Sequence, residues 1–506
     1  MNIKEFWQEK KYFFVLLIIV LFGFFLRLKG YLINPSFWHD ECGLAWNIKF
    51  KTYPELFGIL NFLQVTPPLF LVLTKLLTKL FGFSELVFRL IPLVSGCSSI
   101  IAFYFLAKKV LNKNLNILLA VFFFAINSNL INYSFEFKPY SLDVLLTILC
   151  LLLFINLDIN KLSRKKVLFY GILLAILPWF SFVSVFIIAG GLLFKVIRVG
   201  NDRGKINGKW KMENGKLPIH LFPFRNFLAL SIPLIISLLI YVKFYVIANY
   251  TGTTMPQGWQ NYFINNIGQF LELLIGNIKY LFSPVKFVLF TLIFMLWGLV
   301  LLLKEKSRFL FISLTSFLLL ILASCLHLYP FGERLVLFLI PIFLLLMFKP
   351  LDLISLNNKL KSGFIILLFF LTFYPQFIQT KDFLIFKQVD REEYAREMMD
   401  FMMKKIEPND IIFVNSPSEP EFAYYYSFYS KKNQIIQENF ENLKKLNYLK
   451  KLNGLKSGYY WFYLPIDYLN IPVFPWIEGW AKDKNIIFYQ KTGKKYHGLL
   501  MYVQIK

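Results

Sequence analysis

The chain has 506 residues, of which 57% are hydrophobic and only 17% are charged, and its formal net charge is +25. A soluble protein of this length would carry more charge, so the composition excludes an ordinary globular protein and predicts one that is embedded in lipid. The basic residues cluster between apolar runs, where anionic lipids attract them, so we predict a membrane surface and no nucleic acid as the partner.

Eleven apolar runs are predicted as spanning helices, which need about 20 mostly apolar residues, or fewer where basic residues flank them. The first run follows Lys10 and Lys11 and is not followed by a small-residue cleavage site, so we predict an uncleaved span. Two short runs between Val167 and Ile197 are predicted to form a tight hairpin that turns near Pro178. The predicted spans are residues 12–28, 86–107, 114–131, 140–157, 167–181, 183–199, 227–247, 284–303, 309–328, 335–349 and 363–380.

The distribution of basic residues orients these spans. Eleven spans that start with the N-terminus inside put the C-terminus outside. Of the 36 Lys and Arg residues in the first 380 positions, 24 fall on segments that this orientation assigns to the inside, as the positive-inside rule expects. We therefore predict a multi-pass protein of the plasma or inner membrane, with a cytoplasmic N-terminus and an extracytoplasmic C-terminal domain.

The first predicted outer segment contains an apolar stretch from Pro67 to Phe83 that is interrupted by Lys75 and Lys79. Lysines spaced by four among leucines lie on one face of a helix, which predicts an amphipathic helix at the membrane interface.

Composition changes at Lys381, after which 34 of 126 residues are charged. We therefore predict a transmembrane helical domain over residues 1–380 and a small soluble α/β domain over residues 381–506. The elements predicted in the second domain are helices at 392–406 and 440–452, strands at 411–414, 459–464 and 486–490, and a final hairpin turning at 492–494.

Two adjacent acids follow an aromatic residue just beyond the first span, in the sequence Trp38-His39-Asp40-Glu41. An aspartate can accept a proton from an attacking hydroxyl, and an aromatic ring can pack on a sugar face. The alternative interpretation is a polar loop with Trp38 in the aromatic belt of the membrane. A divalent cation bound by His39, Asp40 and Glu41 is a weaker alternative, because adjacent side chains point in different directions, so we predict no cofactor and no metal.

Basic residues recur at other predicted outer positions. Arg89 follows Glu85 by four residues, so it either pairs with that acid on one helix face or binds a phosphate through its planar guanidinium. Lys138 would neutralise a leaving phosphate, and Tyr140 would donate a hydrogen bond, in a loop that also carries Glu136. The alternative for this loop is a tight connection with interfacial anchors.

The last basic position is Arg334, which ends the segment that begins at His327 and precedes an apolar run. It is predicted either to snorkel to the membrane edge or to bind a phosphate. Four outer loops would thus place acids and bases near one membrane face, and we hypothesise that they converge on one pocket.

A series of short motifs runs along residues 1–350 and continues more loosely in the tail, in an order typical of one family of membrane enzymes. They are Asp40-Glu41, Thr66-Pro67-Pro68-Leu69, Gly82-Phe83-Ser84-Glu85, Phe88-Arg89-Leu90, Ser95-Gly96, Lys138-Pro139-Tyr140-Ser141-Leu142, Gly332-Glu333-Arg334 with Pro341, Pro408-Asn409-Asp410-Ile411-Ile412, and Tyr424-Tyr425-Tyr426. With them the chain resembles the GT-C membrane glycosyltransferases, in particular the bacterial relatives of protein O-mannosyltransferase and of the lipid A aminoarabinose transferase. The resemblance implies a GT-C fold and an inverting transfer of a sugar from a polyprenyl-phosphate donor, at the outer leaflet, to a lipid, glycan or protein acceptor.

The resemblance also implies roles for individual residues. Asp40 would be the general base on the acceptor hydroxyl, and Glu41 would support Asp40 or the sugar. Arg89, Lys138 and Arg334 would stabilise charge on the phosphate, although the residue after Arg334 is a leucine where the family often has an aromatic. The full set of predicted substrate-binding residues is Trp38, Arg89, Glu136, Lys138, Tyr140 and Arg334.

Two other functions compete with this interpretation. A transporter or lipid flippase would place ionisable residues at mid-span and would show a two-fold repeat in its spans, whereas the acids of this sequence lie at span ends and no repeat stands out. A polysaccharide ligase or polymerase would use a diphosphate-linked oligosaccharide donor and would carry a large outer loop in place of a C-terminal domain.

Overall fold

The computed structural model divides the chain into two compact units. The helical unit comprises Met1–Leu32, Phe57–Ile59 and Val65–Lys387, and the C-terminal unit comprises Ile33–Leu56, Leu60–Gln64 and Gln388–Lys506. Part of the first predicted outer segment therefore folds with residues more than 300 positions away, while the predicted domain boundary at residue 380 lies outside the described residues. The structure describes residues 3–158, 162–202, 221–242, 259–282, 288–353, 363, 394–414, 418–437, 449, 452–464, 473–482, 484–492 and 498–505.

Apolar helices build the helical unit. A 3-10 turn, Glu333–Leu339, leads into the last α-helix among the described residues, which begins with Pro341 in its first turn. A proline is tolerated there because the first backbone N–H groups of a helix have no partner within the helix. The helices are α1 (Ile3–Ile33), α3 (Pro68–Phe81), α4 (Glu85–Phe88), α5 (Leu90–Val110), α6 (Asn114–Ile126), α7 (Ser128–Asn132), α8 (Tyr140–Asn156), α9 (Arg164–Phe180), α10 (Ser184–Asp202), α11 (Leu221–Tyr241), α12 (Ile267–Leu281), α13 (Val288–Lys304), α14 (Arg308–Cys325) and α15 (Ile340–Phe348).

Four described helices are long and apolar enough to cross a membrane, and α6 and α7 form a fifth span if this bent pair counts as one. Ten of the eleven predicted spans coincide with described helices, and the eleventh, at 363–380, lies outside the described residues apart from residue 363. The chain is a multi-pass membrane protein, and the total of eleven spans stays a prediction. The four long helices are Lys10–Ile33, Leu90–Val110, Arg308–Cys325 and Glu333–Leu353.

The predicted hairpin after residue 167 forms, and its turn lies where the two predicted spans meet, just after the predicted position near Pro178. Pro178 is inside α9, which continues to Phe180, and the chain turns before α10, where the Ser184 hydroxyl donates to the carbonyl of Ser181 at 2.7 Å. A proline in the last turn removes a single backbone hydrogen bond, so the helix persists beyond it. The predicted amphipathic helix is confirmed as α3, and its place at the membrane interface stays a prediction.

Small residues let helices of this unit approach closely, as is common in membranes. A Cβ atom added at Gly298, in α13, would lie 1.9 Å from the carbonyl oxygen of Leu346 in α15. No side-chain rotation relieves a clash with backbone, so the two helices depend on the missing side chain.

Replacing Gly298 with valine is therefore expected to lower the melting temperature of the detergent-solubilised protein, because overpacking costs about 1–3 kcal/mol. The matched control is Gly276→Val in α12, since a Cβ atom there meets nothing within 4 Å. The monodisperse fraction that survives heating measures both variants. Equal melting temperatures for the two would contradict the close approach of α13 and α15.

In the residues that the structure describes, the C-terminal unit combines four α-helices with a mixed sheet. Strands β1, β2 and β3 pair in parallel, while β5 pairs antiparallel with both β3 and β4, in the order β2-β1-β3-β5-β4. One face of β3 buries Tyr460, Phe462 and Leu464 in an apolar cluster, as the alternation of a strand requires. The elements are α2 (His39–Phe50), α16 (Ala395–Lys405), α17 (Glu419–Tyr426), α18 (Val473–Ala481), β1 (Ile411–Val414), β2 (Gln434–Gln437), β3 (Gly458–Leu464), β4 (Asn485–Thr492) and β5 (Gly498–Ile505).

The three predicted strands of this unit are confirmed as β1, β3 and β4, and β4 and β5 form the predicted final hairpin. Its turn and most of the predicted helix at 440–452 lie outside the described residues. Strand β2 and helices α17 and α18 were not predicted.

Candidate active site

The two adjacent acids lie in the first turn of α2, in the C-terminal unit, and therefore on a helix rather than in the polar loop of the alternative interpretation. Glu41 is fully buried, and its Oε2 accepts a hydrogen bond from the backbone N–H of Trp38 at 3.4 Å. A carboxylate at this place satisfies a backbone donor and suits the positive end of the helix dipole. Glu41 therefore stabilises the start of α2.

Asp40 has different surroundings from its neighbour. Its side chain is partly exposed, and its Oδ1 accepts a hydrogen bond from the amide of Gln64 at 3.3 Å. Gln64 in turn donates to the carbonyl of Phe62 at 3.2 Å, which holds the amide in place. Asp40 thus keeps contact with solvent while Glu41 does not, and the geometry favours Asp40 over Glu41 as a group that exchanges protons with a substrate.

In the helical unit, a broken span carries the loop that contains Glu136, Lys138 and Tyr140. Helices α6 and α7 meet at an angle of 54°. At the break, the Asn127 side chain accepts from the Leu130 N–H at 3.0 Å, and the buried Arg27 guanidinium donates to the carbonyl of Ala125 at 2.8 Å. Backbone groups released by the bend are thereby satisfied within the membrane unit, as lipid surroundings require.

The start of the short helix α7 is hydrogen-bonded to the C-terminal end of α12. The amide of Asn127 donates to the carbonyl of Leu281 at 2.9 Å, and that of Asn129 donates to the carbonyl of Tyr280 at 2.5 Å. The hydroxyls of Tyr133 and Tyr280 are hydrogen-bonded to each other. Burial raises the pKa of Tyr280 to about 12, so this phenol stays protonated at neutral pH and can act as a donor.

A stack of aromatic rings brings Arg89 and Lys138 to the same loop. The Phe137 ring packs against Phe70 of α3 at 5.6 Å and against Phe88 of α4 at 4.9 Å between centroids. Arg89 follows Phe88 and Lys138 follows Phe137, so this packing brings together the backbone segments that carry the two cations. Both are buried, and the guanidinium of Arg89 belongs to a side chain with 0% exposure.

Arg334, nearly 200 positions later in the chain, lies near the same loop. Its guanidinium carbon lies 6.0 Å from the centroid of the Tyr140 ring and 5.6 Å from that of Trp259. Aromatic rings at these distances stabilise a cation electrostatically. A planar guanidinium at this place is suited to bind an oxyanion through two N–H donors.

Gly332, two residues before Arg334, has a packing role. A Cβ atom at Gly332 would lie 1.9 Å from the ring of Tyr262, whose hydroxyl donates to the Glu333 carboxylate. Burial and that hydrogen bond raise the pKa of Tyr262 to about 12. The backbone N–H of Glu333 donates to Asn277 Oδ1 at 2.9 Å, so the residue before Arg334 is held from two directions.

Five of the eight predicted site residues lie in or next to segments that pack around residues 133–140, and we call them the loop cluster: Arg89, Glu136, Lys138, Tyr140 and Arg334. The other three, Trp38, Asp40 and Glu41, belong to the C-terminal unit. Sequence reasoning missed Trp259, Tyr262 and Tyr280, whose signal was a group of aromatic residues between two predicted spans. The roles of all eight stay proposals.

The described part of the chain contains no group of three or more His, Cys, Asp or Glu side chains that could hold a metal ion. The absence of a cofactor remains a prediction.

Comparisons with known proteins agree with the resemblance predicted from the motifs. Residues 65–217 match the family model of dolichyl-phosphate-mannose-protein mannosyltransferases. The crystal structure of ArnT from Cupriavidus metallidurans in the apo state is similar over 98% of both chains, with a TM-score of 0.55 and 11% sequence identity. The same protein bound to undecaprenyl phosphate is similar over 97% of this chain and 98% of its own, with a TM-score of 0.53 and 11% identity. No curated protein sequence matches the chain.

At this identity the structural similarity establishes the fold. The chain has the GT-C fold of ArnT, with a small sheet-containing C-terminal part, and the predicted resemblance to mannosyltransferase-like membrane proteins is confirmed.

Proposed function

We propose that the chain is a membrane glycosyltransferase that passes a sugar from a polyprenyl-phosphate donor to a hydroxyl of a lipid, glycan or protein acceptor, with inversion at the anomeric carbon. The observation that carries the proposal is the loop cluster, in which the segments that carry Arg89, Lys138 and Arg334 pack around one loop of the helical unit. Ionisable groups are costly to keep in a membrane unit, so their concentration in one place points to a function.

The chemistry of the loop cluster suits a phosphate that is becoming a leaving group. Guanidinium and ammonium groups form charge-assisted hydrogen bonds to phosphate oxygens, and a planar guanidinium can bind two oxygens at once. Such groups stabilise the negative charge that grows on the phosphate as its bond to the sugar breaks. Tyr140, which packs beside Arg334, would add a neutral donor.

Asp40 is proposed as the general base. The acceptor oxygen attacks the anomeric carbon, its proton passes to Asp40, and the bond from that carbon to the phosphate oxygen breaks, with the electron pair leaving on polyprenyl phosphate. A positioned base of this kind contributes about 10²–10⁴-fold to the rate. Glu41 would support Asp40 by holding the first turn of α2, and Trp38 would pack on the sugar.

Two comparisons support a polyprenyl-phosphate donor. The matched family model is named for a dolichyl-phosphate-linked mannose donor, and one of the similar ArnT structures is bound to undecaprenyl phosphate. Helices with exposed apolar side chains are a suitable environment for the polyprenyl tail. We further propose the plasma or inner membrane as the location, with the N-terminus in the cytoplasm and the C-terminal unit outside.

The test is a transfer assay on the purified protein in liposomes mixed with envelope extract as the source of acceptor. We expect consumption of a polyprenyl-phosphate-linked hexose or pentose and release of polyprenyl phosphate, with no use of nucleotide sugars. Use of nucleotide sugars alone, or no consumption of any donor, would overturn the proposal. Movement of a labelled lipid between leaflets without loss of its sugar would favour a flippase instead.

A further inference from the structure

A buried acid of the C-terminal unit lies beside the motif that carries Asp40. Glu421, in α17, has 0% exposure, and neither of its carboxylate oxygens accepts a hydrogen bond from the described part of the chain. Its ion pair is with His39, whose Nδ1 lies 3.3 Å from Glu421 Oε1. A buried carboxylate is costly without a partner, so this contact ties the placement of the His39 ring to Glu421.

His39 is the first residue of α2 and directly precedes Asp40. Its ring is mostly buried, with 18% of the side chain exposed. Fixing the ring through Glu421 fixes the backbone of the turn from which the Asp40 side chain departs. Side-chain direction in a helix follows from the backbone, so a small rotation of this turn would re-aim the carboxylate.

The same C-terminal helix contacts both ends of the segment. Upstream of the motif, the backbone N–H of Phe37 donates to the hydroxyl of Tyr425 at 2.8 Å. Downstream, Lys49 in the last turn of α2 donates to the carbonyl of Ser427 at 3.0 Å and to its hydroxyl at 2.8 Å. Helix α17 and the residues after it therefore hold α2 on either side of Asp40.

We propose that Glu421 is a positioning residue of the transfer reaction, acting through His39 to aim Asp40 at the acceptor hydroxyl, and that α17 is in this sense part of the catalytic apparatus. The inference rests on the proposed function. It extends the part that the C-terminal unit plays in catalysis from Asp40 to helix α17. Glu421 itself need not touch the substrate.

Kinetics of single and double variants test the proposal. Glu421→Gln and His39→Gln are each expected to lower kcat about 10- to 100-fold, the cost of a misplacement near 1 Å, with the KM for the donor unchanged. Because both act through one contact, the double variant should be no slower than either single variant. The double variant also replaces the buried ion pair with two neutral amides, which guards against a loss of folding in Glu421→Gln alone.

The matched control is Glu419→Gln, a change of the same kind two residues earlier in α17, at a partly exposed position. Wild-type kcat in Glu421→Gln, or effects that multiply in the double variant, would overturn the proposal. So would a rise in donor KM without a change in kcat, since that would move the residue to donor binding.

A labelling experiment separates this inference from the proposed function. In a Cys97→Ala, Cys325→Ala background, which leaves the buried Cys42 and Cys150 in place, Asp40→Cys is labelled with a hydrophilic maleimide. Adding Glu421→Gln should change the labelling rate several-fold, and adding Glu419→Gln should not. Unchanged labelling rates would refute the positioning role even if the wild-type protein transfers sugar. A changed labelling rate, together with no transfer by the wild-type protein, would refute only the proposed function.

Discussion

Asp40→Asn is expected to lower kcat for sugar transfer by about 10²–10⁴-fold, the contribution of a positioned general base. Asparagine has nearly the shape of aspartate but does not accept the proton of the acceptor hydroxyl. The fold should persist, because Asp40 is partly exposed and Glu41, not Asp40, caps the start of α2. Steady-state transfer by the purified variant, together with its affinity for polyprenyl phosphate, measures the effect.

The control for this prediction is Glu55→Gln in the same unit. Glu55 is exposed and accepts hydrogen bonds from the backbone N–H and hydroxyl of Thr52, at 2.6 and 2.7 Å, so its substitution changes a local turn at the surface. Transfer by Glu55→Gln should stay near the wild-type rate. Full activity in a well-expressed Asp40→Asn protein would remove Asp40 from the role of base, and a parallel loss in Glu55→Gln would show that the assay reports general damage to the unit.

Arg334→Gln is expected to weaken binding of polyprenyl phosphate about 10- to 100-fold. A hydrogen bond to a charged group contributes about 1.5–3 kcal/mol, and about 1.4 kcal/mol corresponds to a factor of ten in Kd. The guanidinium lies near the rings of Tyr140 and Trp259, which limit its freedom and so lower the cost of ordering it when the phosphate binds. Arg89 is a less useful target for this test, because its complete burial makes its loss a risk to folding.

Two further substitutions serve as controls for this prediction. Lys279→Gln removes one positive charge from an exposed position next to Tyr280, and its Kd should match the wild type if net charge is not what matters. Arg334→Lys keeps the charge and loses the planar fork, so an intermediate Kd would show that bidentate contact contributes. A Kd in Arg334→Gln equal to that of Lys279→Gln would leave Arg334 as a snorkelling residue at the membrane edge.

The sequence by itself determined the features that depend on local pattern and on the solvent. Long apolar runs predicted the spans because lipid leaves the backbone no partner but its own helix. The leucines around Lys75 and Lys79 predicted α3, and short runs rich in β-branched or aromatic residues predicted β1, β3 and β4. The motifs that carry the resemblance also marked four members of the loop cluster, and Glu136 was predicted from the loop that it shares with Lys138.

Only the tertiary structure decided how these pieces meet. Asn127 caps α7 at the bend of a span that the hydropathy pattern predicts as continuous. Phe137 packs against Phe88 and so brings together the segments that carry Arg89 and Lys138. The segment of Asp40 was predicted with the membrane domain, yet it folds in one unit with α17, where Glu421 meets His39. Such pairings join residues hundreds of positions apart, and they depend on shape and charge in three dimensions, which neither periodicity nor composition encodes.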